Sequence, residues 1–271
     1  MMNEALVTFE NLVFSGQYRQ GDRITEDKVK EEIVKYTGQN VSRAVVRDLF
    51  SLLANFRIVN SVPGAGTTIV SLTYEEQLYF LKMRFDMEKR TIIGLREKLS
   101  KEPTLEDREV FLYQLAATVG QIRKYARERN VKLCFRYDSE FHSLIAKLAG
   151  HQETQMMLRA LYLRTFLSSQ SPIFFAQARD GSGTGETRLE VAELMIDLRR
   201  AEFEKIHERI YQYILNPIKE GDVLDLLQNH YEYSMKLWES AVEEAYLTLN
   251  MPLTDRPHVP TVPILDESLI H

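Results

Sequence analysis

The sequence predicts a mainly helical protein in two parts, and three observations lead to that prediction. Residues 4–53 contain three short stretches with apolar side chains at helical spacing, separated by glycine-bearing breaks. Residues 57–70, RIVNSVPGAGTTIV, are rich in β-branched residues around a proline–glycine turn, which is typical of a β-hairpin. From Thr73 onward the apolar pattern is helical. We therefore expect an N-terminal domain over 1–72 and an antiparallel helical bundle over 73–250.

The composition is that of a globular protein without a membrane span. Of its 271 residues 44% are hydrophobic and 27% charged, and no apolar run approaches the roughly 20 residues that cross a bilayer. The N-terminus lacks the basic and apolar regions of a secretory signal. Cys134 is the only cysteine, which excludes an intrachain disulfide and a thiolate zinc cluster. These features predict a cytoplasmic location.

The three short helices carry recognisable end signals. Thr25 is placed to cap the second helix, and Thr37-Gly38 closes it. Ser42 is placed to cap the third helix, which we expect to bury Val46, Leu49, Phe50 and Leu53 as one stripe. Three short helices followed by a hairpin make a winged helix-turn-helix, with the hairpin as the wing.

The third helix carries a candidate nucleic-acid surface. Arg43 and Arg47 lie one helical turn apart, roughly opposite the apolar stripe. A guanidinium on such a face can bond guanine in the major groove, while Ser42 or Asn40 reaches phosphate. Residues 42–70 hold three arginines against one aspartate, although the whole chain has a net charge of −5. Arginines on a surface helix are common, so the short helices before them and the wing after them favour DNA binding.

The same residues carry a family resemblance. QYRQGDRITEDKV, followed by VSRAVVRDLFSLLANFRIVNSVPGAGTTIV, resembles the N-terminal domain of GntR-family transcription regulators. The matching positions are Gly21, Ile24, Thr25, Glu26, Val41, Ser42, Arg43, Val46, Arg47, Phe50, Leu53, Gly64 and Gly66. IVKYTGQN makes the turn before Val41 longer than in the family pattern, and Val45 replaces a frequent proline. With this domain we expect DNA contacts from Arg43, Arg47, Ser42, Asn40, Arg23, Thr25, Gly64 and Gly66.

The second part reads as a helix bundle with a short tail. The helix over 74–99 has a seam of alternating three- and four-residue steps through Leu78, Leu81, Phe85, Glu88, Ile92, Leu95 and Leu99. Arg84 lies one turn before Glu88 and is placed to pair with it. Further helices are predicted near 104–129, 131–149, 153–178, 186–215 and 220–249. The proline-rich tail over 251–271 cannot continue a helix.

The predicted bundle contains an aspartate and three histidines whose side chains could ligate a metal. Asp138 and His142 are four residues apart and leave one helix face together. His207 and His230 each lie in the middle of another predicted helix. In a bundle these four side chains could meet at one cation, and such a set suits Zn²⁺ or Ni²⁺ with positions left open. Taken singly, each histidine is more often a core or surface residue than a ligand.

A second resemblance favours the metal. YDSEFHSLIAKLAGH, then HERIYQYI and a last helix with one histidine, is similar to the FadR C-terminal (FCD) effector domain of the same family. Many such domains hold a metal with one aspartate and three histidines. The resemblance therefore implies the ligands Asp138, His142, His207 and His230. We also expect Arg84, Glu88 and Arg164 to face an effector, and an arginine beside a metal suits a small carboxylate.

Enzyme patterns fit these residues less well. His207-Glu208 begins a zincin motif, but Tyr211 stands where the second histidine is needed. Only Glu204 and His207 form a Glu-x-x-His pair, whereas di-iron bundles need two. A metal-dependent hydrolase or another bundle metalloenzyme is the alternative. The favoured prediction is a homodimeric, ligand-responsive transcription regulator that binds double-stranded operator DNA.

Overall fold

The structure, a computed structural model, describes residues 2–62, 66–72, 74–101, 108–169 and 205–216, with scattered positions between 225 and 236. Its elements in chain order are α1 (Met2–Phe14), β1 (Arg23–Ile24), α2 (Glu26–Thr37), α3 (Arg43–Asn55), β2 (Val59–Val62), β3 (Gly66–Ile69), α4 (Tyr74–Lys101), α5 (Arg108–Arg127), α6 (Val131–Ala149) and α7 (Gln152–Ser169). Residues 205–215 form a further helical segment. The predicted fold class, a winged helix-turn-helix followed by a helical bundle, is confirmed.

The caps predicted for α2 and α3 are confirmed. Thr25 accepts a hydrogen bond from the Lys28 amide at 3.2 Å, and Ser42 accepts one from the Val45 amide at 3.3 Å. Gly38 ends α2 in the left-handed conformation, with a φ of 70° that a residue with a side chain adopts at a cost. The predicted stripe of α3, Val46, Leu49, Phe50 and Leu53, is buried. These local signals therefore set the ends and the buried face of α3.

The wing is a three-stranded antiparallel sheet in the order β1-β3-β2. The predicted hairpin is present as β2 and β3, in which Val59 pairs with Ile69 and Val62 pairs with Gly66. The two-residue strand β1 was not predicted, because two residues are too few to show an alternating pattern. It covers the outer edge of β3, so the wing is attached to the segment before α2.

The bundle packs α4, α5 and α7 around α6. Along α4 the described residues of the predicted seam, Leu81, Phe85, Glu88, Ile92, Leu95 and Leu99, are buried. The predicted pair forms inside this seam, with Arg84 Nε 3.2 Å from Glu88 Oε1. Parts of the helices predicted over 153–178, 186–215 and 220–249, and the tail over 251–271, lie outside the described residues. None of the described helices is both long and apolar enough to cross a membrane.

The winged helix and the bundle are in direct contact. Helix α1 packs against α2 and α3 on one side and against α6 and α7 on the other. Arg159 on α7 forms a bidentate ion pair with Glu10 on α1, and both side chains are largely buried. The rings of Phe14 and Phe166 meet edge to face at 5.0 Å. Helix α1 therefore joins the winged helix and the bundle in one continuous hydrophobic core.

Candidate functional site

The outer face of α3 presents the two predicted arginines to solvent. The Arg43 and Arg47 side chains are 69% and 67% exposed, on the side away from the buried stripe. Each is held by a carboxylate from the first turn of α2. Arg43 lies 3.3 Å from Asp27, and Arg47 lies 3.2 Å from Glu26. Because these ion pairs are exposed they are weak, and a phosphate or a base edge can replace the carboxylates.

The other predicted DNA contacts fall around this face. Thr25 and Ser42 use their hydroxyl oxygens to cap helices, which leaves each hydroxyl hydrogen for another acceptor. Arg23 is exposed on β1, and its guanidinium lies so close to Gly66 that a Cβ there would meet it at 3.0 Å. Asn40 is exposed in the turn before α3, and Gly64 lies outside the described residues.

Inside the bundle, three of the four predicted metal ligands come together. Ligand atoms of Asp138, His142 and His207 lie within 4.8 Å of one another, and all three side chains are buried. His207 Nε2 is 2.7 Å from Asp138 Oδ1, and His142 Nε2 is 3.7 Å from the same oxygen. Helix α6 supplies the aspartate and one histidine at i and i+4, and the segment 205–215 supplies the other histidine. His230 lies outside the described residues.

The surroundings set the charge of these groups. Burial lowers the pKa of His142 to about 4, against the opposing charges of Glu88 and Asp138. The imidazole is therefore neutral near pH 7, the form that ligates a metal. Burial alone would raise the pKa of Asp138, but the hydrogen bond and charge of His207 outweigh it and hold this pKa well below its usual range. The carboxylate is ionised and available as a ligand.

The cluster has the features of a metal site. His142 Nδ1 is buried without a hydrogen-bond partner among the described residues, and its nearest carboxylate oxygen, Glu88 Oε2, is 4.0 Å away. A buried imidazole nitrogen without a partner is unfavourable unless something else occupies the space. Two imidazoles and one carboxylate form a donor set that suits Zn²⁺ or Ni²⁺ and leaves coordination positions open. The residues present fit a divalent metal ion.

Two predicted effector residues lie beside the cluster. Arg84 and Glu88 on α4 are both about 2% exposed, and Glu88 faces the His142 ring. The Arg84 guanidinium lies 4.4 Å from the centre of the Tyr162 ring and donates to the Thr165 hydroxyl at 3.3 Å. The Tyr162 ring in turn stacks on His142 at 5.9 Å between ring centres. Helix α7 therefore forms one wall of the cluster.

The third predicted effector residue, Arg164, connects α7 to the winged helix. Its Nη2 donates to the Arg57 carbonyl at 3.1 Å, and its guanidinium lies 3.7 Å from the centre of the Phe80 ring. Arg57 sits between α3 and β2 with a φ of 53°, which is a strained conformation for a residue with a side chain. Burial lowers the pKa of Arg164 to about 10, so the side chain stays charged near neutral pH. The predicted effector role of Arg164 stays a prediction.

Within four residues, helix α7 therefore contacts the surroundings of the cluster and the segment that follows α3. Tyr162 stacks on His142 and Thr165 accepts from Arg84, while Arg164 donates to the Arg57 carbonyl two residues after α3 ends. Sequence reasoning missed Tyr162, Thr165 and the pairs that hold Arg43 and Arg47. Their partners across the fold lie between 16 and 81 residues away along the chain, so no short spacing marks them.

Comparisons with known proteins find similar solved structures only, at low sequence identity. No protein-family model matches the chain, and no curated protein matches it either. Among solved structures, it is similar to Escherichia coli McbR/YncC with a TM-score of 0.49 and 14% identity, over 84% of this chain and 98% of that one. It is also similar to Lar, which controls expression of the Listeria monocytogenes agr system, with a TM-score of 0.42 and 13% identity over 91% and 97%.

A third similar structure is the Rhodococcus sp. RHA1 protein named transcriptional regulator GntR. The TM-score is 0.42 and the identity 17%, over 80% of this chain and 99% of that one. Identity and superposition are low in all three cases, so the function of this chain is inferred from its own residues.

Proposed function

We propose that the chain is a ligand-responsive DNA-binding transcription regulator of the GntR type, with a bundle of the FCD kind as its sensor. One observation carries the proposal: helix α3 exposes Arg43 and Arg47, while the winged helix that presents them is tied by α7 to a buried Asp–His cluster. A winged helix supports readout of DNA, and a buried cluster of side chains that can ligate a metal supports recognition of a small molecule.

The DNA interface rests on the charge and exposure of α3. Its apolar side is buried on α1 and α2, so the opposite side is free to enter a major groove. There the guanidinium forks of Arg43 and Arg47 can bond guanine. A twofold dimer would present two such helices to a pseudo-palindromic operator.

The sensor site rests on the fit of the cluster to a metal. Asp138, His142 and His207 would hold the ion, with His230 as the fourth proposed ligand. The ion, Zn²⁺ or Ni²⁺, would bind a carboxylate at its open positions. Arg84 lies on the same side of the bundle as Tyr162 and can pair with the rest of an anionic effector.

The signal would travel along α7. An effector that shifts Tyr162 or Thr165 also shifts Arg164, one and two residues away on the same helix. Arg164 holds the carbonyl of Arg57 at the end of α3, so the position of the reading helix depends on what fills the bundle. A ligand that binds more tightly to one position of the reading helix than to another shifts the protein toward that position. The affinity for DNA then changes by at most the difference between the two ligand affinities.

Replacing Arg47 with alanine tests the DNA interface. The wild-type protein is first used to select an operator from random duplexes, and binding is then measured by fluorescence anisotropy. Arg47→Ala should weaken binding by about 1–3 kcal/mol and relax the preference at one base pair, because a bidentate contact is lost. Lys82→Ala on α4, an exposed cation far from α3 in sequence, is the control. Equal affinities for the wild type and Arg47→Ala would refute the interface.

Replacing His142 with alanine tests the sensor site. Elemental analysis after resupply of Zn²⁺ or Ni²⁺ should find about one ion per wild-type chain and far less in His142→Ala. Operator affinity should differ between metal-loaded and chelator-treated wild type, and should not respond in His142→Ala. The exposed His151, replaced in the same way, is the control. A wild-type protein that holds no metal after resupply would refute the metal site and leave the DNA interface standing.

A further inference from the structure

We infer that the groove between α1 of the winged helix and the bundle helices α5, α6 and α7 is a binding site for an uncharged, polyhydroxylated small molecule such as a sugar. The groove has a volume of about 520 Å³, within the roughly 300–1,000 Å³ of ligand pockets. Each of the four helices supplies polar side chains to its lining, among them Asn11, Thr118, Ser139, Ser143 and Gln155.

The groove lies on a different face of α6 from the metal-ligating cluster. Ser139 and Ser143 each follow a cluster residue, Asp138 and His142, by one position, which turns them about 100° around the helix. None of the three cluster residues lines the groove. A ligand in the groove would therefore not touch the proposed metal, and the inference does not rest on the proposed function.

The lining carries hydrogen-bonding groups that the described part of the chain leaves unused. Ser139 and Ser143 are each 6% exposed, and no hydrogen bond among the described residues involves either hydroxyl. Asn11 Nδ2 is buried without a partner among the same residues. The Thr118 hydroxyl donates to the Gln114 carbonyl at 2.7 Å, which leaves its oxygen as an acceptor. Because buried polar groups are nearly always paired, these groups indicate an occupant that both donates and accepts hydrogen bonds, as hydroxyls do.

The balance of charge selects an uncharged ligand. Glu10 and Arg159, the largely buried charges of the lining, neutralise each other in their bidentate ion pair. Glu140 and Lys147 are exposed and Arg136 is partly exposed, so water screens all three. A charged ligand would lose its own water without meeting an uncompensated buried charge of opposite sign.

Aromatic rings border the groove where a sugar ring would pack. Tyr113 on α5 is 76% exposed and forms part of the lining. Tyr137 on α6 also lines the groove, and its ring stacks on that of Tyr125 with the centres 5.5 Å apart. A sugar presents an apolar C–H face to such a ring and directs its hydroxyls to the sides. The mixture of rings, hydroxyls and amides therefore fits a sugar better than an apolar molecule.

Isothermal titration calorimetry of the full-length chain tests the site. Glucose, maltose and myo-inositol are the uncharged probes, and glucose phosphate and gluconate are the charged ones. At least one uncharged probe should bind at about one molecule per chain, and more tightly than either anion. Its affinity should be the same before and after chelator treatment, so a failure of the proposed metal site would leave this binding intact.

Three outcomes of that titration would overturn the inference. The first is that no uncharged probe binds at millimolar concentration, which would mean that water alone fills the groove. The second is tighter binding of the anions, which would assign recognition to the charges at the rim. The third is loss of binding with the metal, which would place the ligand at the cluster.

Two substitutions with matched controls locate the bound probe. Ser143→Ala removes one hydroxyl from the lining and should weaken binding about two- to tenfold, since alanine favours the helix and only a hydrogen bond is lost. Ser51→Ala, at an exposed serine of α3, should leave the affinity unchanged.

Ala117→Trp should fill the groove from an exposed position in its lining and abolish binding. Lys124→Trp, at an exposed position of the same helix outside the lining, should not. Unchanged affinity in both Ser143→Ala and Ala117→Trp would show that the probe binds elsewhere and would overturn the inference.

Discussion

The winged helix and the bundle each hold an arginine–glutamate pair at the same separation, but in different surroundings. Arg47 Nε lies 3.2 Å from Glu26 on the surface, where the two side chains are 67% and 38% exposed. Arg84 Nε lies 3.2 Å from Glu88 inside the bundle, where both side chains are 3% exposed. Water competes with the first pair and not with the second.

The comparison shows how burial assigns different tasks to the same chemistry. An exposed pair contributes about 0–1 kcal/mol, so Arg47 can leave Glu26 for a stronger acceptor such as phosphate or guanine. A buried pair cannot lose one partner without leaving a charge uncompensated. Arg84 and Glu88 therefore stay paired beside His142, whereas Arg47 can exchange its carboxylate for another acceptor.

The largest effect should follow from breaking the buried pair. Glu88→Gln leaves the Arg84 guanidinium without its carboxylate and should lower the free energy of unfolding by about 3–5 kcal/mol. Urea unfolding followed by circular dichroism measures it. Glu97→Gln is the matched control, because Glu97 and Lys101 form a pair of the same spacing on the same helix that is 61% and 76% exposed. Equal losses in the two variants would show that burial does not separate the two kinds of pair.

An intermediate effect should follow from removing the cap of α3. Ser42→Ala loses the acceptor for the Val45 amide and should lower the free energy of unfolding by about 0.5–2 kcal/mol. Thermal unfolding provides the measurement. Ser51→Ala, an exposed serine within the same helix, should be neutral or slightly stabilising since alanine is the better helix former. A Ser42→Ala variant as stable as Ser51→Ala would mean that α3 does not depend on this cap.

The smallest effect on stability should accompany a gain in binding. Glu26→Gln frees Arg47 on the surface and should change the free energy of unfolding by less than about 1 kcal/mol. Operator affinity should rise, because Arg47 no longer has to leave a carboxylate. Glu31→Gln, an exposed glutamate on the same helix, makes the same change in net charge. Tightening of equal size in both variants would assign the gain to charge alone and not to the Arg47–Glu26 pair.

The features that the sequence predicts well are set within one or two helical turns. Thr25 and Ser42 act on amides three residues ahead, and Arg84 pairs with Glu88 one turn later. The placement of Asp138 and His142 on one face of α6 follows from the same geometry. Each depends on the helix alone, and so the residue spacing is enough to predict it.

Features that depend on packing between elements were not predictable in this way. His207 meets Asp138 from 69 residues away, and the resemblance to a family suggested that meeting before any spacing could. Arg164 was expected beside an effector, but its hydrogen bond to the Arg57 carbonyl spans 107 residues and joins the bundle to the winged helix. The strand β1 exists because β3 offers it an edge, which two residues of sequence cannot show.

The sequence by itself determined the periodic faces of the described helices, the caps of α2 and α3, the hairpin of the wing and the residue types available for chemistry, because periodicity and capping act locally. The tertiary structure decided which charges are buried and which face solvent. It paired Arg43 and Arg47 with the carboxylates of α2, enclosed Asp138 with two histidines, and brought α7 into contact with both His142 and the Arg57 carbonyl. Burial depends on how whole elements pack. It is burial that distinguishes the ion pairs of Arg43 and Arg47, which another acceptor can replace, from the buried Arg84–Glu88 pair of α4.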